Sequence, residues 1–242
     1  MIRLNRLVAR ATGCSRREAD AWIVDGRVSV DGALVDRPGS KFPEQSNIEV
    51  DQASNTQSLQ STVLYHKPLG IVSGQPSLKS RYPPAISCLT RTNFAHGRCP
   101  SIPPSLLSGF APAGRLDVNS TGLLVLTQSG QVAREIIGPK STMEKEYLVR
   151  IQGTPKDPLW TSQWLEGVAD GEDLLRAASV DHLDEHLLRV VLTAGRNHHI
   201  RRLCRATGFE TVALKRVRIG NVVLANLPLG KWRYLRPDET FV

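Results

Sequence analysis

The longest uninterrupted apolar stretch in this chain is Gly122-Leu123-Leu124-Val125-Leu126, far short of the ~20 residues a membrane-spanning helix needs. The sequence therefore argues against a membrane partner, and any core has to be assembled from many short elements. With 242 residues, 40% of them hydrophobic and 22% charged, there is enough apolar surface for one or two domains. Lys and Arg number 31 against 23 Asp and Glu, a formal charge of +8, which favours a polyanionic partner, nucleic acid first. Arg3, Arg6 and Arg10 interrupt the first apolar residues, so no secretory signal forms, and Glu18 and Asp20 argue against a transit peptide. The cysteines at 14, 88, 99 and 204 form no C-x-x-C pair, a pattern of reduced thiols in the cytoplasm rather than a zinc ribbon or a disulfide framework.

Residues 1–50 read as a small module. Leu4, Leu7 and Val8 recur at helical spacing, Gly13 breaks the pattern, and Ser15-Arg16-Arg17-Glu18 has the S-x-x-E form of a capping box. Val28-Ser29-Val30 and Ala33-Leu34-Val35 flank Asp31-Gly32, a two-residue hairpin signal. Arg16 and Arg17 fall in the first turn of the second helix, where the helix dipole disfavours cations; they face either solvent or an external anion. Residues 51–62 are polar, aperiodic and free of aromatics, as expected of a linker, so that a second domain covers 63–242. Within it, 74–112 carries seven of the 15 prolines and is expected to be a long surface loop or insertion. Beyond that stretch, strands are expected at 123–127, 147–151, 174–180, 187–192, 212–219, 222–224 and 232–235. Helices are expected at 131–137 and 159–165. A further helix, capped by Asn197, buries Ile200, Leu203, Cys204 and Thr207 and stops at Gly208. The fold class is α+β, rich in strands.

Three places could carry chemistry. In GRLDVNSTGLLVLTQSG, Asp117 stands on a turn just ahead of a buried strand; it either caps that turn or carries function. In KEYLV, Tyr147 offers a flat ring with a polar tip, suited to stacking on a base or to a core position. From Arg196 to Arg218 there are seven basic residues against the single acid Glu210. His198, Arg201, Arg202 and Arg205 follow i, i+3, i+4, i+7, with Arg216 and Arg218 expected on one side of the next strand. Such a face suits a phosphate backbone or plain solvent. His198-His199 is not a metal pair, because adjacent helical residues diverge by about 100° and no third ligand has matching spacing.

Together the three segments resemble the motifs of pseudouridine synthases. GRLDVNSTGLLVLTQSG is similar to the family's Asp motif, KEYLVRIQG to its Tyr motif, and GRNHHIRRLCRATGFETVALKRVRIGNVVL to its Arg-bearing motif. LPLGKWRYL is similar to the branch acting on ribosomal RNA, and RLNRLVARATGCSRREADAWIVDGRVSVDG resembles an S4 domain, a small RNA-binding module. Within that branch, similarity is greatest to the F-type members, which target 23S ribosomal RNA and can also modify a tRNA. The resemblance implies a two-helix-plus-hairpin S4 domain followed by a mixed, mainly antiparallel sheet flanked by helices. It also implies isomerisation of uridine in structured RNA by a monomer without external cofactor. Asp117 would be the carboxylate that acts as nucleophile or starts an elimination, Tyr147 would stack on the uracil and assist proton removal at C5, and Arg201 would pair with Asp117 and keep it ionised. Arg115 would hold the flipped nucleotide or fill the gap it leaves, and Leu214 would lie on the pocket floor. Arg16, Arg17, Arg196, His198, Arg202, Arg205, Lys215, Arg216 and Arg218 would contact RNA. The family commonly has Arg-Gln where this chain has His198-His199, and the Pro-rich stretch is longer than usual; both bear on which RNA is admitted. A catalytically silent RNA-binding protein with the same fold is the alternative. A DNA-binding regulator built on the two short helices would leave the second domain unexplained.

Overall fold

The structure is a computed structural model and describes residues 1–24, 26–50, 61–75, 80–95 and 109–242. It divides into two compact units, Met1–Ser61 with Thr127–Val132, and Thr62–Leu126 with Ala133–Val242.

The first unit contains β1 (Ile2–Arg3), α1 (Leu4–Thr12), α2 (Arg16–Val24), β2 (Val28–Val30), β3 (Ala33–Leu34), β4 (Lys41–Phe42) and β5 (Ile48–Val50). Gly13 closes α1 in the left-handed region and donates its N–H to Ala9 O, the αL stop that glycine accepts without a Cβ clash. The capping box of α2 is reciprocal: Ser15 N–H donates to Glu18 Oε2 at 2.7 Å and Glu18 N–H donates to Ser15 Oγ at 3.2 Å. Asp31 and Gly32 both take positive φ, 52° and 81°, and Val30 pairs with Ala33 across the turn, the backbone twist a two-residue hairpin requires. Leu4, Val8, Ala19, Ile23, Val28 and Val30 make a small core. The short strands β4 and β5 complete this unit; nothing in their local pattern had marked them.

The second unit is built on a nine-stranded sheet. Its strands are β6 (Thr62–Lys67), β7 (Ala111–Pro112), β8 (Thr121–Thr127), β9 (Lys145–Gly153), β12 (Ser179–His182), β13 (Leu187–Leu192), β14 (Phe209–Ile219), β15 (Val222–Val223) and β16 (Trp232–Tyr234). The order is β12-β13-β9-β14-β8-β6-β16, with β15 on β14 and β7 on β8. β14 runs antiparallel to β9 and parallel to β8, so the sheet is mixed. α3 (Gly130–Ile137), α4 (Trp160–Glu166) and α5 (His199–Thr207) accompany it, and β10 (Val168–Asp170) with β11 (Asp173–Leu175) forms a separate hairpin. The strand expected at 174–180 is thus two strands, interrupted where Ala177 N–H turns to Trp164 O.

The close contact of β8 and β14 decides where the site forms. A Cβ on Gly122 would lie 2.2 Å from Arg216 O and 2.5 Å from Arg216 N, and Gly122 has φ +115°. Only glycine allows this backbone approach. It fixes Arg216 beside the start of β8, and therefore beside the turn that carries Asp117.

The Pro-rich stretch is not uniformly a surface loop. Residues 76–79 and 96–108 of it lie outside the described residues, as does 51–60 of the expected linker, while Thr62 already belongs to β6. The part between is packed. Ala85 and Leu89 are buried in the main core, 3₁₀ turns span Ala85–Cys88 and Arg91–Asn93, and Phe94 meets Trp232 edge-on at 4.8 Å. The prolines had masked an apolar spacing, Ala85, Ile86 and Leu89, that a single 3₁₀ turn is enough to bury.

Candidate active site

Asp117 sits on a turn whose backbone is held from four directions. Ser73 Oγ donates to Leu116 O at 2.7 Å and accepts from Leu116 N–H at 2.9 Å. Gly70 N–H donates to Val118 O, Arg201 Nη2 donates to Asn119 O at 2.8 Å, and Arg216 Nη1 donates to Arg115 O at 3.3 Å. The 68–71 loop is fixed in turn by Lys67, whose Nζ donates to Pro68 O at 2.8 Å and Ile71 O at 3.0 Å. With Ser120 N–H donating to Asp117 O, every carbonyl from Arg115 to Asn119 thereby has a donor, as a partly buried turn favours.

The carboxylate itself is a quarter exposed. Its Oδ2 lies 3.1 Å from His198 Nδ1 and 3.9 Å from Arg201 Nε. Arg201 is anchored by Thr211 O and Asn119 O, so its guanidinium reaches Asp117 from a fixed position. His198 precedes α5 in a left-handed conformation, φ 49°. The helix thus starts after His198 instead of being capped by Asn197, and the turn of chain directs the His198 ring at the carboxylate.

A cleft of about 680 Å³ opens over this carboxylate, lined among others by Arg115, Asp117, Lys145, Tyr147, Arg196, His198, Leu214 and Arg216. Tyr147 and Arg216 are direct cross-strand partners, as are Val149 and Leu214; paired residues share a face, so all four belong to one side of the sheet. Lys145, two residues before Tyr147 on β9, belongs to that side too and is 6% exposed. Burial, and secondarily the charge of Arg216, pulls its ammonium down to about 8. Burial does the same to Lys67, to about 8, with Asp117 opposing the shift.

The basic residues expected on one RNA-facing surface divide into several environments. Arg201 turns inward to the Asp turn. Arg202 is bound by the β10–β11 hairpin, with Nε to Asp170 Oδ2 at 2.5 Å and Nη1 to Asp173 Oδ2 at 2.8 Å, and Arg196 pairs with Asp173. Arg205 stays largely exposed, 3.8 Å from Asp170, and Arg115 is exposed at the cleft. Arg216 and Arg218 do not share a side. A β-bulge falls between them, placing Arg216 opposite Tyr147 and Arg218 opposite Glu146, and Arg218 donates to Glu146 and Glu144. One inserted residue reverses the alternation. Lys215 is half-buried on the face opposite Arg216. Arg16 and Arg17 are exposed in the first unit.

Three residues of the site had no individual signal in the sequence. Ser73 acts through the backbone of Leu116, 43 residues along the chain, Lys67 acts through the neighbouring carbonyls of Pro68 and Ile71, and Lys145 lies just ahead of the strand expected at 147–151. Only its alternation with Tyr147 could have placed it inside.

This arrangement joins a carboxylate, an arginine held beside it and an aromatic ring, at a cleft whose other charged lining residues, among those described, are cations. Comparison with known proteins gives the same result. A family model described as RNA pseudouridylate synthase matches residues 61–206, and an S4 domain model matches 2–47. The chain belongs to the RNA pseudouridylate synthase family. It is 32% identical over 239 residues to an uncharacterized RNA pseudouridine synthase of Aquifex aeolicus, covering 98% of this chain and 94% of the relative. It is 31% identical over 249 residues to the dual-specificity RNA pseudouridine synthase RluF of Escherichia coli strain K12, covering 98% and 77%. A crystal structure of a pseudouridylate synthase matches with a TM-score of 0.64 at 26% identity, covering 98% of this chain and 96% of the other. As a member of this family the chain is an enzyme that isomerises uridine to pseudouridine in RNA, with an S4 RNA-binding domain at its N-terminal end. Among the described residues no helix is long and apolar enough to cross a membrane.

Proposed function

We propose that this synthase modifies a structured ribosomal RNA, 23S RNA first and a tRNA second, as a cytoplasmic monomer, with Asp117, Tyr147 and Arg201 as its catalytic residues. In this reading residues 1–50 guide the RNA and 63–242 perform the reaction. The observation that carries the assignment is Asp117, the one carboxylate among the described residues lining the cleft, fixed through its backbone and set 3.9 Å from the Nε of Arg201. Asp117 acts at the ribose of the target uridine, the N1–C1′ bond breaks, and the base turns over Tyr147 and rejoins C1′ through C5. Tyr147, 8% exposed, supplies a flat wall for stacking, and exposed Arg115 holds the extruded nucleotide at the entrance. Similarity to RluF and to a ribosomal large subunit pseudouridine synthase B supports 23S RNA as the first substrate to try.

The test is release of tritium from RNA labelled at uridine C5, with free 23S RNA, assembled subunits and tRNA offered separately. Wild type is expected to release tritium from one of them, and Asp117→Asn to lose at least about 10⁴-fold in rate with RNA affinity unchanged. Tight binding without release from any substrate would overturn the assignment in favour of a silent RNA-binding protein.

A further inference from the structure

The cleft floor contains more buried positive charge than Asp117 requires. Arg216 is 1% exposed and Lys145 6%, and both line the cleft on the face of Tyr147. Among the described residues Lys145 Nζ has one hydrogen bond, to Met143 O at 2.8 Å. Arg216 uses Nε on Leu123 O and Nη1 on Arg115 O, while its Nη2 is buried without a partner. No carboxylate pairs with either cation among the described residues. The acids flanking Tyr147, Glu144 and Glu146, are bound to Arg218, and Asp117 faces His198 and Arg201. Burying two cations side by side without an anion is costly, so the pair calls for negative charge that arrives with the substrate.

We propose that Lys145 and Arg216 form a site for the uracil anion released when the glycosidic bond breaks. The inference rests on the pseudouridine synthase assignment and on Tyr147 as the wall of the base pocket. Breaking N1–C1′ leaves the bonding pair on the base, shared among N1, O2 and O4. The same anion then supplies the pair for the C5–C1′ bond, after which C5 loses its proton and N1 gains one, and the pyrimidine is restored. Charge is greatest between these two steps, and donors waiting in a dry pocket stabilise that state at no cost of rearrangement. A backbone phosphate is less well matched: it stays with the ribose near the cleft mouth, where Arg115 is exposed. The site serves equally whether Asp117 attacks C1′ or starts an elimination, because both routes detach an anionic base.

The experiment compares uridine with 5-fluorouridine at the modified position of an RNA stem-loop that wild type turns over, because fluorine stabilises the anion by itself. Loss of the N-glycoside is followed under single turnover for wild type, Lys145→Met and Lys145→Arg, with RNA affinity measured in parallel. Lys145→Met is expected to slow uridine by about 100-fold but fluorouridine by about tenfold or less, with affinity unchanged and Lys145→Arg intermediate. Equal loss on both bases, or loss of affinity alone, overturns the leaving-group site while leaving the enzyme assignment standing. No turnover by wild type on any RNA would remove that assignment and this inference together. Should Lys145→Met fail to fold, the Lys145→Arg ratio between the two bases decides in the same way.

Discussion

The arginines of α2 and those of the 196–218 segment look alike in sequence and differ in what they do. Arg16 and Arg17 sit exposed in the first turn of a helix whose cap is already satisfied by Ser15 and Glu18. Among the described residues of their own unit, no side-chain hydrogen bond or ion pair holds them. Arg201, Arg202, Arg216 and Arg218, by contrast, each meet a specific carbonyl or carboxylate. Clustered basic residues are therefore two things in one molecule: a surface open to an anion, and internal fastenings of the fold, two of them, Arg201 and Arg216, on the Asp117 turn. The denser cluster is chiefly the fastening.

The sharpest way to break this contrast is at Arg201. Arg201→Met removes the donor to Asn119 O and the cation beside Asp117 while keeping the stem that packs on the helix. Single-turnover rate is expected to fall by about 10²–10³-fold with little change in RNA affinity. A large affinity loss with a preserved rate would return Arg201 to the group of RNA-contacting surface arginines.

A fastening remote from the cleft offers the next comparison. Arg233 and Glu239 are 11% and 12% exposed and joined by two short hydrogen bonds, 2.6 and 2.7 Å. The Arg233 guanidinium holds the Glu239 carboxyl down to about 2, from 4.5. A carboxylate whose folded pKa is depressed stabilises the fold above its unfolded pKa, and that contribution is lost as pH falls from about 4.5 towards about 2. Glu239→Gln is expected to cost about 3 kcal/mol at pH 7. In denaturant titrations its deficit against wild type should narrow steadily below pH 4.5. A deficit independent of pH would show that the pair acts through packing alone.

How much of this was legible depended on whether the cause was local. The capping box, the Asp31-Gly32 turn, the Gly13 and Gly208 stops and most strands follow from neighbouring residues, and they stand where spacing put them. The three-motif resemblance named Asp117, Tyr147 and Arg201 together; in the folded chain Asp117 and Tyr147 line one cleft, and Arg201 lies 3.9 Å from Asp117. What was not legible was set by distant partners. Arg202 reads as solvent-facing until the β10–β11 hairpin supplies Asp170 and Asp173. Arg216 and Arg218 read as neighbours on one face until a bulge separates them. Ser73 carries no signal at all, because its work is two hydrogen bonds to Leu116, 43 residues away.

The smallest expected effect tests the surface half of the contrast. If Arg16 and Arg17 meet RNA phosphates, each contact releases condensed counterions, and the dependence of log affinity on log salt steepens by about 0.7–0.9 per phosphate. Arg16→Ala with Arg17→Ala should therefore flatten that slope by about 1.4–1.8 and weaken binding by about tenfold, with the rate at saturating RNA unchanged. Arg202→Ala should leave the slope unaltered, since its charge is already matched by two aspartates, and should lower stability instead. The same formal charge removed from two places would then be read in two different measurements. If both variants flattened the slope equally, the internal pairing of Arg202 would have to open when RNA binds, and α5 would join the binding surface after all.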